Sequence, residues 1–176
     1  GVDSVLCAID AALEQQLRVK INCVPCVEMN GDDIEGIAML AENRPVDVRF
    51  IELMPIGCGK EYTGIPSKEI LHRLEQHFGK AIAIPGKAEY YQFPGFSGRI
   101  GFISPISHKF CRECNRIRLT CEGRLKLCLH YDRGLELKPL LRGGANDEEI
   151  GRHIINALKE KPSEHHFRER TAGEEL

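Results

Sequence analysis

The chain has 176 residues, 42% hydrophobic and 28% charged, with 24 Lys and Arg against 26 Asp and Glu. That length suits one medium domain or one and a half small ones, and that balance describes a globular chain rather than a disordered one. A formal net charge of −2 argues against a general nucleic-acid or membrane-surface binder, and no apolar run is long enough for a membrane helix.

No charged segment leads into an apolar core, so no secretory signal is read. Eight cysteines would mark a disulfide framework in a secreted mini-protein. Here the helix and strand patterns can build a core without staples, so reduced thiols, some metal binding and a cytoplasmic location are expected. The chain opens on Gly1 with a helical pattern already running, which reads as a piece of a longer protein.

Val5, Leu6, Ile9 and Leu13 recur at helical spacing, predicting a helix over residues 2–17. Residues 18–27 read as a strand. Asp32 can cap a helix carrying Ile34, Ile37, Ala38 and Ala41, with Glu35 completing a capping box. Residues 46–54 form a second strand. Pro66 and Ser67 open a helix with Ile70, Leu71, Leu74 and Phe78 on one face, closed by Gly79. Alternating helix and strand over residues 1–79 predicts an α/β arrangement with a parallel sheet. Two strands are too few for a finished domain, so residues 1–79 are expected to be the last units of a larger sheet or barrel.

From residue 80 the pattern changes to short strands punctuated by Gly and Pro, at 81–84, 88–93, 99–103, 115–120 and 124–131. This is antiparallel material. Asn146 and Asp147 cap a last helix bearing Ile150, Ile154, Ile155 and Leu158, stopped by Pro162. Residues 80–162 are expected to form a second domain. Residues 163–176 are expected to be a polar tail in which His165 and His166 are solvated.

The chemistry concentrates in the second part. Cys111 and Cys114 form a CxxC, and Cys128 follows on the next strand. A three-residue loop of Cys121, Glu122 and Gly123 pairs Thr120 with Arg124, Arg118 with Lys126 and Arg116 with Cys128. This register sorts the leucines onto one face and gives Gly123 the left-handed position such a loop requires. Cys128 then lies diagonal to Cys114, roughly 7 Å away. Arg116 and Arg118 share its face. Cys121 lies at the loop tip, on the order of 20 Å from Cys114, and is no ligand. Three thiols without a fourth ligand favour an iron–sulfur cubane with one open iron. A structural Cys3His zinc site completed by His130, in a non-catalytic interaction module, is the alternative, as is a chance grouping of buried cysteines.

The strings FCRECNRIRLT at residues 110–120 and GRLKLC at 123–128 resemble the C-terminal cluster motif of the radical SAM GTP 3′,8-cyclase family of molybdenum cofactor biosynthesis. VKIN at 19–22, VRFIELMP at 48–55 and GRIGFIS at 98–104 resemble it too, in order. The resemblance implies the C-terminal units of a partial (βα)6 radical SAM (TIM-like) barrel, followed by a hairpin-rich cluster-binding domain with a terminal helix. It implies that S-adenosylmethionine is cleaved at a first 4Fe–4S cluster. The radical formed then converts GTP to (8S)-3′,8-cyclo-7,8-dihydroguanosine 5′-triphosphate, the first step of the pathway. By the same resemblance Cys111, Cys114 and Cys128 hold a second 4Fe–4S cluster. Lys20, Arg49, Arg116, Ile117 and Arg118 contact GTP, and Met54 contacts S-adenosylmethionine. The CxxxCxxC loop of the first cluster is absent from these residues, so this chain alone is expected to be inactive. The family's C-terminal Gly-Gly is likewise not found. An uncovered barrel edge invites pairing between two copies.

Lys20 and Arg49 lie on successive strands joined by one helix, and a right-handed crossover makes those strands parallel neighbours. Weaker signals are Cys23-Val-Pro-Cys26, which has thiol-redox spacing but lies inside a predicted strand, and Gly143-Gly144 before a helix. Cys7 and Cys58 read as ordinary core or loop thiols.

Overall fold

A computed structural model describes residues 1–86, 88–108, 111–165 and 167. The chain divides into two compact units, Gly1–His108 and Lys109–Leu176.

The first unit is a mixed sheet backed by helices. Helix α1 (Val2–Glu14) runs into strand β1 (Lys20–Cys23). The short helices α2 (Val27–Asn30) and α3 (Ile34–Ala38) precede β2 (Asp47–Ile51). Helix α4 (Ser67–Phe78) leads to β3 (Ile82–Ile84), β4 (Glu89–Gln92) and β5 (Arg99–Ile103). The strand order is β1-β2-β5-β4-β3, with β1, β2 and β5 parallel and the two hairpin pairings antiparallel. The parallel pairing of β1 with β2 is the one expected from the crossover.

Strand periodicity splits the sheet into two chemistries. Ile21, Cys23, Val48, Phe50, Ile100 and Phe102 share the face that joins the core with Ile34, Ala38, Ile70 and Leu74. Each large apolar side chain buried there contributes about 1.5–3 kcal/mol. Lys20, Asn22, Asp47, Arg49 and Arg99 occupy the other face.

Several local expectations are corrected. Strand 18–27 stops at Cys23, because Pro25 has no N–H for a ladder, and Cys26 becomes the N-cap of α2. Asp32 caps nothing. Asp33 is the N-cap of α3 without a side-chain bond. Glu35 instead receives Arg73 Nε at 3.0 Å and Nη2 at 2.9 Å, a two-pronged charged bond that outweighs a capping box. Strands β3 to β5, expected beyond a boundary at residue 79, join the first sheet through the β2–β5 pairing, and the compact unit runs on to His108.

The second unit holds a three-stranded antiparallel sheet, β6 (Arg118–Leu119), β7 (Arg124–Lys126) and β8 (Gly134–Glu136), in that order. Helices α5 (Leu137–Arg142) and α6 (Asp147–Lys159) follow. Asn146 caps α6 as expected, its Oδ1 accepting from Glu149 N at 2.9 Å. The tail departs from the polar reading. His165 and Phe167 are buried, and their rings lie against His130 at 6.3 and 4.3 Å. His166 and residues 168–176 lie outside the described residues, and among the described ones no helix is long and apolar enough to cross a membrane.

Candidate functional site

The hairpin forms in the expected register. Arg118 faces Lys126 and Leu119 faces Leu125. Thr120 N donates to Arg124 O at 2.9 Å, Gly123 N donates to Thr120 O at 3.0 Å, and Gly123 takes φ +88°. The ladder ends there, so Arg116 and Cys128 lie beyond the paired residues. A physical reason is at hand. Lys161 Nζ donates to the carbonyls of Cys114 at 2.6 Å and Arg116 at 2.8 Å, so these acceptors are already engaged.

Cys111 opens a single 3-10 turn, Cys111–Glu113, and Cys114 N closes it on Cys111 O at 3.1 Å. Cys111, Cys114 and Cys128 are free thiols, each half-buried. Cys121 is exposed at the loop tip, and its thiol donates to the Glu122 carboxylate at 2.9 Å. That bond holds the Glu122 carboxyl down at about 2 and pushes the Cys121 thiol up. A thiol held protonated at the tip is a poor metal ligand, in keeping with its exclusion from the ligand set.

The donor set suits an iron–sulfur cluster in kind. It offers three unpaired sulfurs at partial exposure, with the Lys161 ammonium 3.7 Å from Cys114 Sγ. A cluster binds each sulfur through a different iron, so its thiolates need not converge as those around one ion must. Among the described residues no three His, Cys, Asp or Glu side chains converge to hold a single metal ion. His130, the expected fourth zinc ligand, has its ring against Tyr131 at 4.5 Å and Phe167 at 4.3 Å.

The cations of this unit fall into two groups. Arg124 pairs with Asp132 at 3.2 Å and Glu136 at 3.0 Å, and Lys126 pairs with Asp132 at 3.3 Å. The bond from Lys126 and the charge of Arg124 hold the Asp132 carboxyl below the ordinary carboxylate range. Arg116 and Arg118 are exposed and meet no carboxylate among the described residues. Ile117 between them is 42% exposed. Two exposed arginines that meet no acid among the described residues suit an anionic ligand.

In the first unit, Lys20 and Arg49 share the polar face of the sheet. Arg49 Nε donates to Asn22 Oδ1 at 2.9 Å, which fixes the guanidinium on that face. Lys20 is exposed and faces Asp47 in the register. Asp47 is already bound twice by Arg99, at 2.8 Å each. Met54 follows β2 and is half-buried. Nearby, Glu52 Oε2 accepts from Ile106 N at 2.8 Å and Ser107 N at 2.9 Å.

Sequence reading missed Asn22 and Lys161. Asn22 lies two residues from Lys20, so strand parity could have placed it beside Arg49. Lys161 stands 47 positions from Cys114, and no local pattern announces that contact. The pair Cys23 and Cys26 is buried, with Asn30 Nδ2 3.7 Å from Cys23 Sγ and Asn30 Oδ1 accepting from Cys26 N at 2.8 Å. Burial pushes both thiols up, which opposes the thiolate that redox work requires.

The profile of a family described as Molybdenum Cofactor Synthesis C matches residues 46–167. The chain is 42% identical over 179 aligned residues to a protein of Clostridium perfringens (strain SM101 / Type A) named GTP 3′,8-cyclase, covering 99% of this chain and 55% of that protein. Proteins of the same name from Desulforamulus reducens and Syntrophomonas wolfei are 43% and 44% identical. Each alignment covers 91% of this chain and 52% of the relative. The chain thus spans about half the length of the curated relatives it matches.

Proposed function

Since the chain belongs to the Molybdenum Cofactor Synthesis C family, we propose that it is the C-terminal part of a radical SAM GTP 3′,8-cyclase. In that reading it carries one end of the GTP site and the residues that hold a second 4Fe–4S cluster. The parent enzyme performs the first step of molybdenum cofactor biosynthesis in the cytoplasm. The first compact unit, Gly1–His108, supplies the last βα units of its partial barrel, and the second, which carries Cys111, Cys114 and Cys128, is the cluster- and nucleotide-binding part. The observation that carries the reading is the placement of Cys111, Cys114 and Cys128 in the same small unit as two exposed arginines that meet no acid among the described residues.

Cys111, Cys114 and Cys128 hold the cluster through their sulfurs. A cluster held by three thiolates supplies an iron without a protein ligand, to which a purine can bind. Arg116 and Arg118 hold and orient the nucleotide beside it, with Ile117 packing between them. Lys20 and Arg49 take the triphosphate, for which two cations fixed on neighbouring strands are suited. Met54 contacts S-adenosylmethionine. Radical generation belongs to a CxxxCxxC loop that these 176 residues do not contain, so this chain alone does not turn over GTP.

Anaerobic reconstitution with iron and sulfide tests the reading. The expected product is a brown chain with about four irons and four sulfides, whose spectrum changes on adding GTP. Stoichiometric zinc binding, with no iron–sulfur spectrum and no response to GTP, would overturn it in favour of a zinc-stabilised module.

A further inference from the structure

We propose that Lys161 is a positioning residue for the cysteine site. It clamps the turn between Cys114 and Arg116 and presents an N–H to the Cys114 sulfur. The inference rests on the cluster-binding reading above for its purpose, and on geometry alone for the clamp.

Lys161 lies just past the end of α6, its backbone N–H on Leu158 O at 3.2 Å. Pro162 follows and disfavours further helix. A lysine in this place ordinarily points to solvent or to the last carbonyls of its own helix. Lys161 does neither. Its ammonium reaches Cys114 O at 2.6 Å and Arg116 O at 2.8 Å, carbonyls 47 and 45 positions earlier. An ammonium has three protons. Two are used on these carbonyls, and the third is available toward Cys114 Sγ at 3.7 Å.

The two carbonyls flank Asn115, so one cation closes the backbone from Cys114 to Arg116 into a fixed turn. That turn sets where the Cys114 sulfur and the Arg116 guanidinium leave the chain. Lys161 therefore couples the placement of a cluster ligand to that of a nucleotide ligand. A donor aimed at a ligating sulfur also lowers the electron density there, which raises a cluster's reduction potential.

The variants Lys161→Met and Lys161→Arg separate these roles. In the metal-free chain, Lys161→Met should speed amide hydrogen exchange over residues 112–118 by about 10-fold or more, as local opening becomes easier. Amides of β2 and β5 should keep their rates, which reports that the variant is folded. Lys161→Arg should restore most of the protection. In the reconstituted chain, Lys161→Met should lose iron to a chelator roughly 10-fold faster, as lost support of a ligand does, and its midpoint potential should fall. Unchanged exchange over residues 112–118 overturns the clamp. An unchanged potential in the loaded variant overturns the sulfur contact. If the unmodified chain takes up no iron and sulfide, the cluster reading fails, and the exchange experiment still decides whether Lys161 holds the turn.

Discussion

Asp47 and Arg99 face each other on the parallel strands β2 and β5 and are joined by two hydrogen bonds of 2.8 Å. This pair decides which cations on the polar sheet face are available. Arg99 is neutralised, and its guanidinium also lies 4.8 Å over the Tyr90 ring. Asp47 is thereby occupied and makes no ion pair with Lys20, its register partner on the other side. Lys20 and Arg49 are left with net positive charge for a ligand.

The contrast predicts separable phenotypes. Arg49→Ala should raise the Kd for GTP roughly 10- to 100-fold, the loss of one or two charge-assisted bonds. Asn22→Ala, which only unfastens the Arg49 guanidinium, should cost a few fold, about one neutral hydrogen bond. Asp47→Asn should leave GTP binding near its original value but lower stability by about 1–3 kcal/mol, because it weakens a half-buried ion pair. Isothermal titration of GTP beside urea unfolding reads both. An Asp47→Asn variant that loses GTP affinity as severely as Arg49→Ala would refute the division.

The buried thiols give a pH prediction. Burial raises the Cys23 thiol above its ordinary value, with the neighbouring Cys26 and Asp33 adding to it, and burial likewise raises Cys26. In the unfolded chain both ionise near the ordinary value of about 8.5. Stability is therefore whole below that value and declines as pH rises toward the higher folded values, where the unfolded state binds fewer protons. Urea midpoints measured at rising pH should fall from about 8.5 upward, and Cys23→Ala should flatten the fall. Alkylation near neutral pH should modify the exposed Cys7 and Cys58 well before Cys23 or Cys26. Fast labelling of Cys23 would revive the redox reading.

What was legible in the sequence was what periodicity and turn chemistry encode. Ile21, Val48 and Phe50 alternate with polar residues, so the two strands and their inner faces could be read. Gly123 marked the one loop length that keeps the hairpin leucines together. Contacts that depend on the competition between distant partners were not legible. Asp32 and Glu35 form a valid capping box until Arg73, 38 residues away from Glu35, supplies a stronger partner. The tail looked polar because His165 and Phe167 are isolated among charges in the sequence, whereas in the fold their rings lie against each other and against the distant His130 ring. Strand β8 and helix α5 lack a clean period and depend on pairing with β7 and on Gly123 O, which accepts from Leu137 N at 2.9 Å.

Gly123 offers a direct test of the hairpin. Its φ is +88°, and a Cβ there would stand 2.8 Å from the Lys138 Cβ. Gly123→Ala combines left-handed strain with a clash against the start of α5, a cost of about 1–3 kcal/mol. Urea unfolding of the chain should show that loss. The amides of Thr120 and Arg124 should exchange faster, since Thr120 N bonds to Arg124 O at 2.9 Å across this loop. A Gly123→Ala chain as stable as the original would mean that the loop is not held as described.

The arginines of the hairpin carry the sharpest discrimination. Arg118 and Arg124 lie on paired strands, yet Arg124 is engaged by Asp132 and Glu136 whereas Arg118 meets no acid among the described residues. Arg118→Ala should therefore weaken GTP binding about 10-fold or more, one charge-assisted contact, with little effect on unfolding. Arg124→Ala should leave GTP binding near its original value and change stability by no more than about 1 kcal/mol, as exposed pairs do. Acid should act in the same sense. The Asp132 carboxyl is held below the ordinary range by its bond from Lys126 and by Arg124, so its pairing survives through the usual carboxylate value of about 3.9 and is lost only below it. Asp132→Ala removes that pairing at every pH and releases Lys126, with Arg124 keeping Glu136. Competition for GTP by inorganic triphosphate should then strengthen in Asp132→Ala at neutral pH, because Lys126 now attracts phosphate. GTP affinity lost in Arg124→Ala but kept in Arg118→Ala would reverse the assignment of the nucleotide-binding arginine.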